Sequence, residues 1–172
     1  MIIHRTLPFR EVSIGIKSPS DGLYRYIEAL GIAPLAKNEH MKLKYTYEQM
    51  YDQQSYPYMR ISKYTDFRYS DPEAGEKVVE KEAFSRPSLL SERRTSIHQM
   101  LEADYFDTYI FNQRGDLIGW IEVAQPKDGL IPPMRTIRWL EIFAIAIAPY
   151  LEQELEKMKI SEFGKTLALS KD

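Results

Sequence analysis

The 172-residue chain contains no cysteine, which removes disulfides, thiolate metal sites, cysteine nucleophiles and thioether-linked cofactors together. Its three histidines, His4, His40 and His98, lack the close spacing that makes a metal site recognisable. No window approaches the roughly 18 apolar residues of a membrane span. Residues 1–9, despite His4 and Arg5, hold no apolar run of signal-peptide length. No membrane partner is therefore expected, and the cytoplasm is the simplest compartment. A formal net charge of -2 and a pI near 6.0 offer none of the positive excess that duplex nucleic acid selects, so no nucleic-acid partner is expected.

What the chain does have is apolar content, 44% of its residues, at a length that suits one domain of roughly 100 to 200 residues. No internal repeat or linker divides it. Residues 1–160 are read as a single domain, and 161–172, polar and short of apolar anchors, as a tail that frays.

Residues 9–17 alternate with Val12, Ile14 and Ile16 on one face and Glu11, Ser13, Gly15 and Lys17 on the other, the period of a strand. Pro19, Asp21 and Gly22 form a turn into a second β-rich run over 23–30, which predicts a hairpin. Pro34 suits a first helical turn, so a short helix is expected over 35–41. Thr46 and Gln49 form a capping box ahead of a brief helix over 47–51. Residues 58–62 predict a third strand with Met59 and Ile61 on one face.

Over 66–100 the alternation lapses into Ser, Pro and charge, with Asp71, Glu73, Glu76, Glu80 and Glu82 set against Arg86, Arg93 and Arg94. So long a stretch in a compact domain is expected to carry short helices, as a functional flap or, more commonly, a solvated excursion.

Residues 104–155 are the clearest block. Tyr105, Asp107, Tyr109 and Phe111 alternate with Phe106, Thr108 and Ile110, a strand covered on both faces. A turn at Gly115 and a strand over 117–124 follow, predicting a central position in an antiparallel sheet. Pro133 opens a helix on which Ile137, Leu140, Ala144, Ile147, Leu151 and Leu155 form a buried stripe. A second stripe, Trp139, Phe143, Ala146 and Tyr150, exceeds what packing on one sheet needs. Trp139, Phe143 and Tyr150 are therefore candidate contacts to another helix, from this chain or a second copy. Pro149 is expected to kink the helix.

This block resembles a GAF domain, the small-molecule-sensing relative of the PAS domain. The residues are Gly115-Asp-Leu-Ile-Gly-Trp-Ile-Glu-Val123, then Asp128-Gly-Leu-Ile-Pro132 and Leu140-Glu-Ile-Phe-Ala-Ile-Ala-Ile-Ala148, with residues 9–16 similar to the family's first strand. The family's leading helix has almost no room ahead of Phe9. The resemblance implies an α+β fold, a central antiparallel sheet with helices on one face and a roof of loops and short helices over a ligand pocket on the other. By position the roof is 64–104. It also implies signal transduction as homodimer or with a signalling protein.

The family's known chemistries fail residue by residue. The Asn-Lys, Phe and Asp-Glu signature of cyclic-nucleotide binding is missing, and bilin attachment and methionine sulfoxide reduction need cysteine. His98 is the sole candidate axial ligand for non-covalent haem, and a packed or exposed histidine is the commoner outcome. No cofactor is expected. No nucleophile-elbow pattern frames a serine, and Asp104 and Asp107 fall on opposite strand faces, so no enzyme activity is expected.

Tyrosine is concentrated instead, at Tyr45, Tyr47, Tyr51, Tyr56, Tyr58, Tyr64 and Tyr69, as a pocket, an interface or ordinary strand packing requires. Arg60, alternating with Met59 and Ile61, faces the pocket side and can meet a carboxylate or phosphate, as can Arg86. The candidate ligand-binding residues for a small organic molecule are Tyr45, Tyr47, Arg60, Tyr64, Arg86, Tyr105 and Tyr109. The other reading is an interaction module with a degenerate pocket.

Overall fold

The computed structural model describes residues 6–54, 57–69 and 80–169, with side chains as far as residue 161. His4, Arg5, Tyr56, Asp71, Glu73 and Glu76 lie outside the described residues.

β1 (Phe9–Lys17) turns at Gly22 into β2 (Tyr24–Leu30), making the hairpin that alternation predicts. α1 (Pro34–His40) begins on its proline, and β3 (Lys44–Tyr45) pairs briefly with β2. The capping box then closes in both directions. The Thr46 amide donates to Gln49 Oε1 at 2.8 Å, and the Gln49 amide to Thr46 Oγ1 at 3.3 Å, ahead of a 3-10 turn over Gln49–Tyr51.

β4 (Tyr58–Arg60) and β5 (Thr65–Arg68) follow, then 3-10 turns at Lys81–Ala83 and Pro87–Leu89. β6 (Tyr105–Phe111), β7 (Leu117–Pro126) and the long α2 (Met134–Leu169) complete the chain. The helical backbone of α2 therefore continues beyond residue 160, where the sequence reading ends the domain.

All strand pairs are antiparallel, in one sheet of order β3-β2-β1-β7-β6-β5-β4. The fold is α+β, with α2 on one face and a roof on the other. β7 and β6 sit centrally, as their two covered faces require. On the helix face the register sets Val12, Val123, Phe106 and Phe67 side by side across four strands. Ile137, Leu140 and Ala144 of α2 pack on this core, each 1% exposed or less. Glu141 accepts hydrogen bonds from Thr65 Oγ1 at 3.1 Å and from Ser62 Oγ, anchoring the helix over the β4–β5 turn.

Two expectations are corrected. The third strand stops at Arg60, and residues 65–68, placed in the irregular stretch, form the fully buried strand β5. Asp66 and Arg68 break the apolar alternation there, yet both are buried, because each meets an opposite charge on the roof face. The roof is also built differently. Much of it is α1 and the 3-10 turn at Met50, with residues 80–84 beside α1, since His40 and Met50 pack onto the sheet there.

Gly15 is one of the sheet positions that need a glycine. A Cβ on Gly15 would lie 2.0 Å from Trp120 Cη2, so the indole crosses β1 only because that atom is missing. Gly15→Ala is expected to cost about 1–3 kcal/mol through overpacking. Urea unfolding followed by the loss of Trp120 packing measures it, and an unchanged midpoint would contradict the assignment.

Candidate functional site

Strand register places three rows of side chains beneath the roof. One runs Tyr26, Gly15, Trp120, Tyr109. A second runs Ser13, Glu122, Asp107, Asp66, Arg60, and a third Glu11, Ala124, Tyr105, Arg68, Tyr58. The second row sets carboxylates directly opposite one another on β7, β6 and β5, an arrangement that is unfavourable unless charges or protons offset it.

Both offsets are present. Arg68, 4% exposed, donates from Nε to Asp107 Oδ2 at 3.1 Å and from a second nitrogen to the Met50 carbonyl at 2.5 Å. Arg60 Nε lies 2.5 Å from Asp66 Oδ1, and the Tyr109 hydroxyl donates to Asp66 Oδ2 at 2.8 Å. Glu122 has no such cation. It accepts from the Tyr26 hydroxyl at 2.5 Å, and His40 Nε2 lies 3.8 Å away while meeting Ser13 Oγ at 3.1 Å.

Protonation follows from these surroundings. Burial first, then the Asp107 charge, pushes Glu122 up to about 8, while burial raises Asp107 to about 6 against the pull of Arg68. Burial raises Asp66 and Glu11 as well, and lowers His40 to about 4. At neutral pH His40 and Glu122 are therefore mostly uncharged, and Arg68 is the buried cation.

Trp120, Tyr24, Tyr26 and Tyr109 fill most of the space where a ligand pocket was expected, each 7% exposed or less. Two small voids remain. One of about 50 Å³ lies among Glu11, Tyr26, His40, Tyr45, Glu102 and Glu122. The other, about 20 Å³, is lined by Arg68, Asp107 and Glu122. Larger clefts of about 520 and 440 Å³ lie outside the roof, beside the β6–β7 turn and the later part of α2.

Of the predicted residues, Tyr45 and Tyr105 line both voids, and Tyr109 is buried beside them. Arg60 faces the roof side, where its carboxylate partner is the protein's own Asp66. Arg86 likewise pairs with Glu102. Tyr47 and Tyr64 line the outer clefts. His98 lies in the exposed 95–98 turn, where its amide meets Ser96 Oγ at 3.3 Å. Among the described residues no group of three or more His, Asp or Glu is arranged to hold a metal ion.

The residues missed were Glu11, His40, Asp66, Arg68, Asp107 and Glu122. Pairing the strands on paper outward from Phe111 and Leu117 would have set Asp107 opposite Ile121; a register shift between Ile110 and Phe111, which nothing in the sequence marks, brings it opposite Glu122.

Two outcomes follow. Asp107 and Glu122 hold folded-state values above their ordinary ones, so their stability contribution is complete below pH 3.8 to 4.5 and lost as pH rises through about 6 and about 8. His40 acts oppositely, contributing above pH 6.5 and losing this as pH falls to about 4. Between pH 6.5 and about 8 Glu122 dominates, so urea midpoints are expected to fall there and to stay level in Glu122→Gln. An equal slope in both proteins would refute this. Arg68→Met is expected to cost about 3–5 kcal/mol in the same assay, with part recovered when Asp107→Leu removes the stranded carboxylate.

No family model and no curated protein matches the chain. Among solved structures it is similar to a domain assigned to a two-component sensor histidine kinase protein from Sinorhizobium meliloti 1021, with a TM-score of 0.56 at 13% identity. That likeness covers 96% of this chain and 90% of the other, and it shows a shared fold.

Proposed function

We propose that this chain is a GAF-like sensory or regulatory module that works by association, without catalysis, through the apolar stripe that α2 turns to solvent. One observation carries the reading. Trp139, Ile142, Ile145 and Tyr150 are 49%, 51%, 52% and 67% exposed on a single helix, whereas large apolar groups in excess on one surface mark contact sites. Phe143 packs against the helix-face core, and Ile142 and Ile145 stand in the stripe.

The occupant proposed is a second copy, packed antiparallel. Arg135 and Arg138 stand at one end of the stripe and Glu152 and Glu156 at the other. Antiparallel packing about Ile145 and Ala146 brings opposite charges together, whereas parallel packing sets arginine against arginine. The fold shared with a sensor-kinase domain supports a regulatory role. Beneath the roof, the packed face supports association over capture of a drug-sized ligand, which needs a pocket of about 300 Å³ or more.

Sedimentation of the full chain tests this. The expected result is a dimer that Ile142→Asp with Ile145→Asp converts to a folded monomer. Arg135→Glu should weaken it and Glu156→Arg in the same chain restore it. A wild-type monomer at all concentrations would overturn the proposal.

A further inference from the structure

The two voids beneath the roof share Tyr26, Tyr45, Tyr105 and Glu122 and therefore adjoin, as two lobes divided by those side chains. Their carboxyl groups outnumber their cations. Glu102 is matched by Arg86 at 2.7 Å, and Asp107 by Arg68, but among the described residues neither Glu11 nor Glu122 meets a lysine or arginine; Glu11 accepts from Ser85 Oγ and Glu122 from the Tyr26 hydroxyl. The smaller lobe receives a further oxygen, Asp107 Oδ1, which has no hydrogen-bond partner although its side chain is only 6% exposed. A buried oxygen of that kind costs free energy comparable to a lost hydrogen bond, so it calls for a donor.

The lining selects that donor. An anion would meet Glu11, Glu102 and Glu122, and a neutral apolar molecule would leave them unmatched. A divalent metal has no set of three ligands among the described residues. The larger lobe, at about 50 Å³, is far below the roughly 150 Å³ that holds benzene. The rings of Tyr26, Tyr45 and Tyr105 in its lining suit a cation, which aromatic faces attract.

We propose that the space beneath the roof is a binding site for the ammonium group of a small primary amine. In the larger lobe the ammonium donates to Glu11 and Glu122, and Glu122, mostly protonated when the lobe is empty, releases its proton to solvent as the cation enters. The smaller lobe, about 20 Å³, is large enough for one water between the ammonium and Asp107 Oδ1. Arg68 lines that lobe, which keeps the cation out of it. His40, uncharged at neutral pH because burial lowers its pKa, does not oppose the ligand. This inference is independent of association through α2.

The test is calorimetric titration of the full chain with methylammonium chloride, with potassium chloride at equal ionic strength and methanol as controls. Saturable binding of methylammonium alone is expected, weakened about tenfold or more in Glu122→Gln. That variant keeps the shape of a protonated carboxyl, and an unchanged Trp120 fluorescence spectrum checks its fold. Nuclear Overhauser contacts from methylammonium to the Tyr26 and Tyr45 rings give a readout that needs no variant. Equal binding of butylammonium would identify the ligand as the end of a longer amine, and its exclusion a free small one. No saturable heat, an equal response to potassium, or no ring contacts would overturn the site. The dimer assay reports separately, since mass and amine binding are distinct readouts.

Discussion

A guanidinium cannot lose its charge inside a protein, and Arg68 is 4% exposed. Much of the roof side follows from that constraint. Its partners include Asp107 and, at 3.2 Å, the Tyr109 hydroxyl on β6, the Met50 carbonyl in the roof, and the Tyr58 ring on β4 at 4.8 Å. The bond to Met50 ties roof to sheet by a charge-assisted contact, while the apolar Met50 side chain joins the cluster around Trp120 and Tyr24. A buried pair of this kind adds little net stability over an apolar replacement. Its effect is to fix which residue faces which, because a one-residue slip of β5 would send Asp66 and Arg68 into the apolar helix face.

β5 is also where the two faces of the sheet share an element. Asp66 and Arg68 point toward the roof, while Phe67 stacks on Phe106 at 4.6 Å on the helix side and Thr65 bonds Glu141 of α2. β5 therefore carries on one face the groups that meet charge beneath the roof and on the other the groups that hold α2.

The elements legible in the sequence were those whose period and punctuation agree. β1 and β2 alternate and are joined at Gly22, β6 and β7 at Gly115, and α2 repeats apolar residues behind Pro133. β5 was illegible because pattern reading equates charge with solvent, and here Asp66 and Arg68 are charged and buried. β3, at two residues, has no period to read. The face of Arg60 followed from alternation with Met59 and Ile61, but its partner did not, since Asp66 had been left outside any strand. The acidic row was hidden for the same reason. Asp107 and Glu122 look like single polar residues in apolar strands until register puts them opposite each other.

Trp120 sets the size of anything the roof can cover. Its indole lies edge-on to Tyr26 at 4.9 Å and over Gly15, in volume that a smaller residue would have left open. The glycine and the tryptophan are thus one choice: removing Cβ from β1 admits the largest side chain on β7, and that side chain converts an organic-ligand pocket into two small polar lobes. What remains is lined by Tyr26, Tyr45 and Tyr105 together with acids whose charges burial suppresses. A space with those walls discriminates by charge before shape, because desolvating the wrong charge there costs more than any misfit of a few atoms.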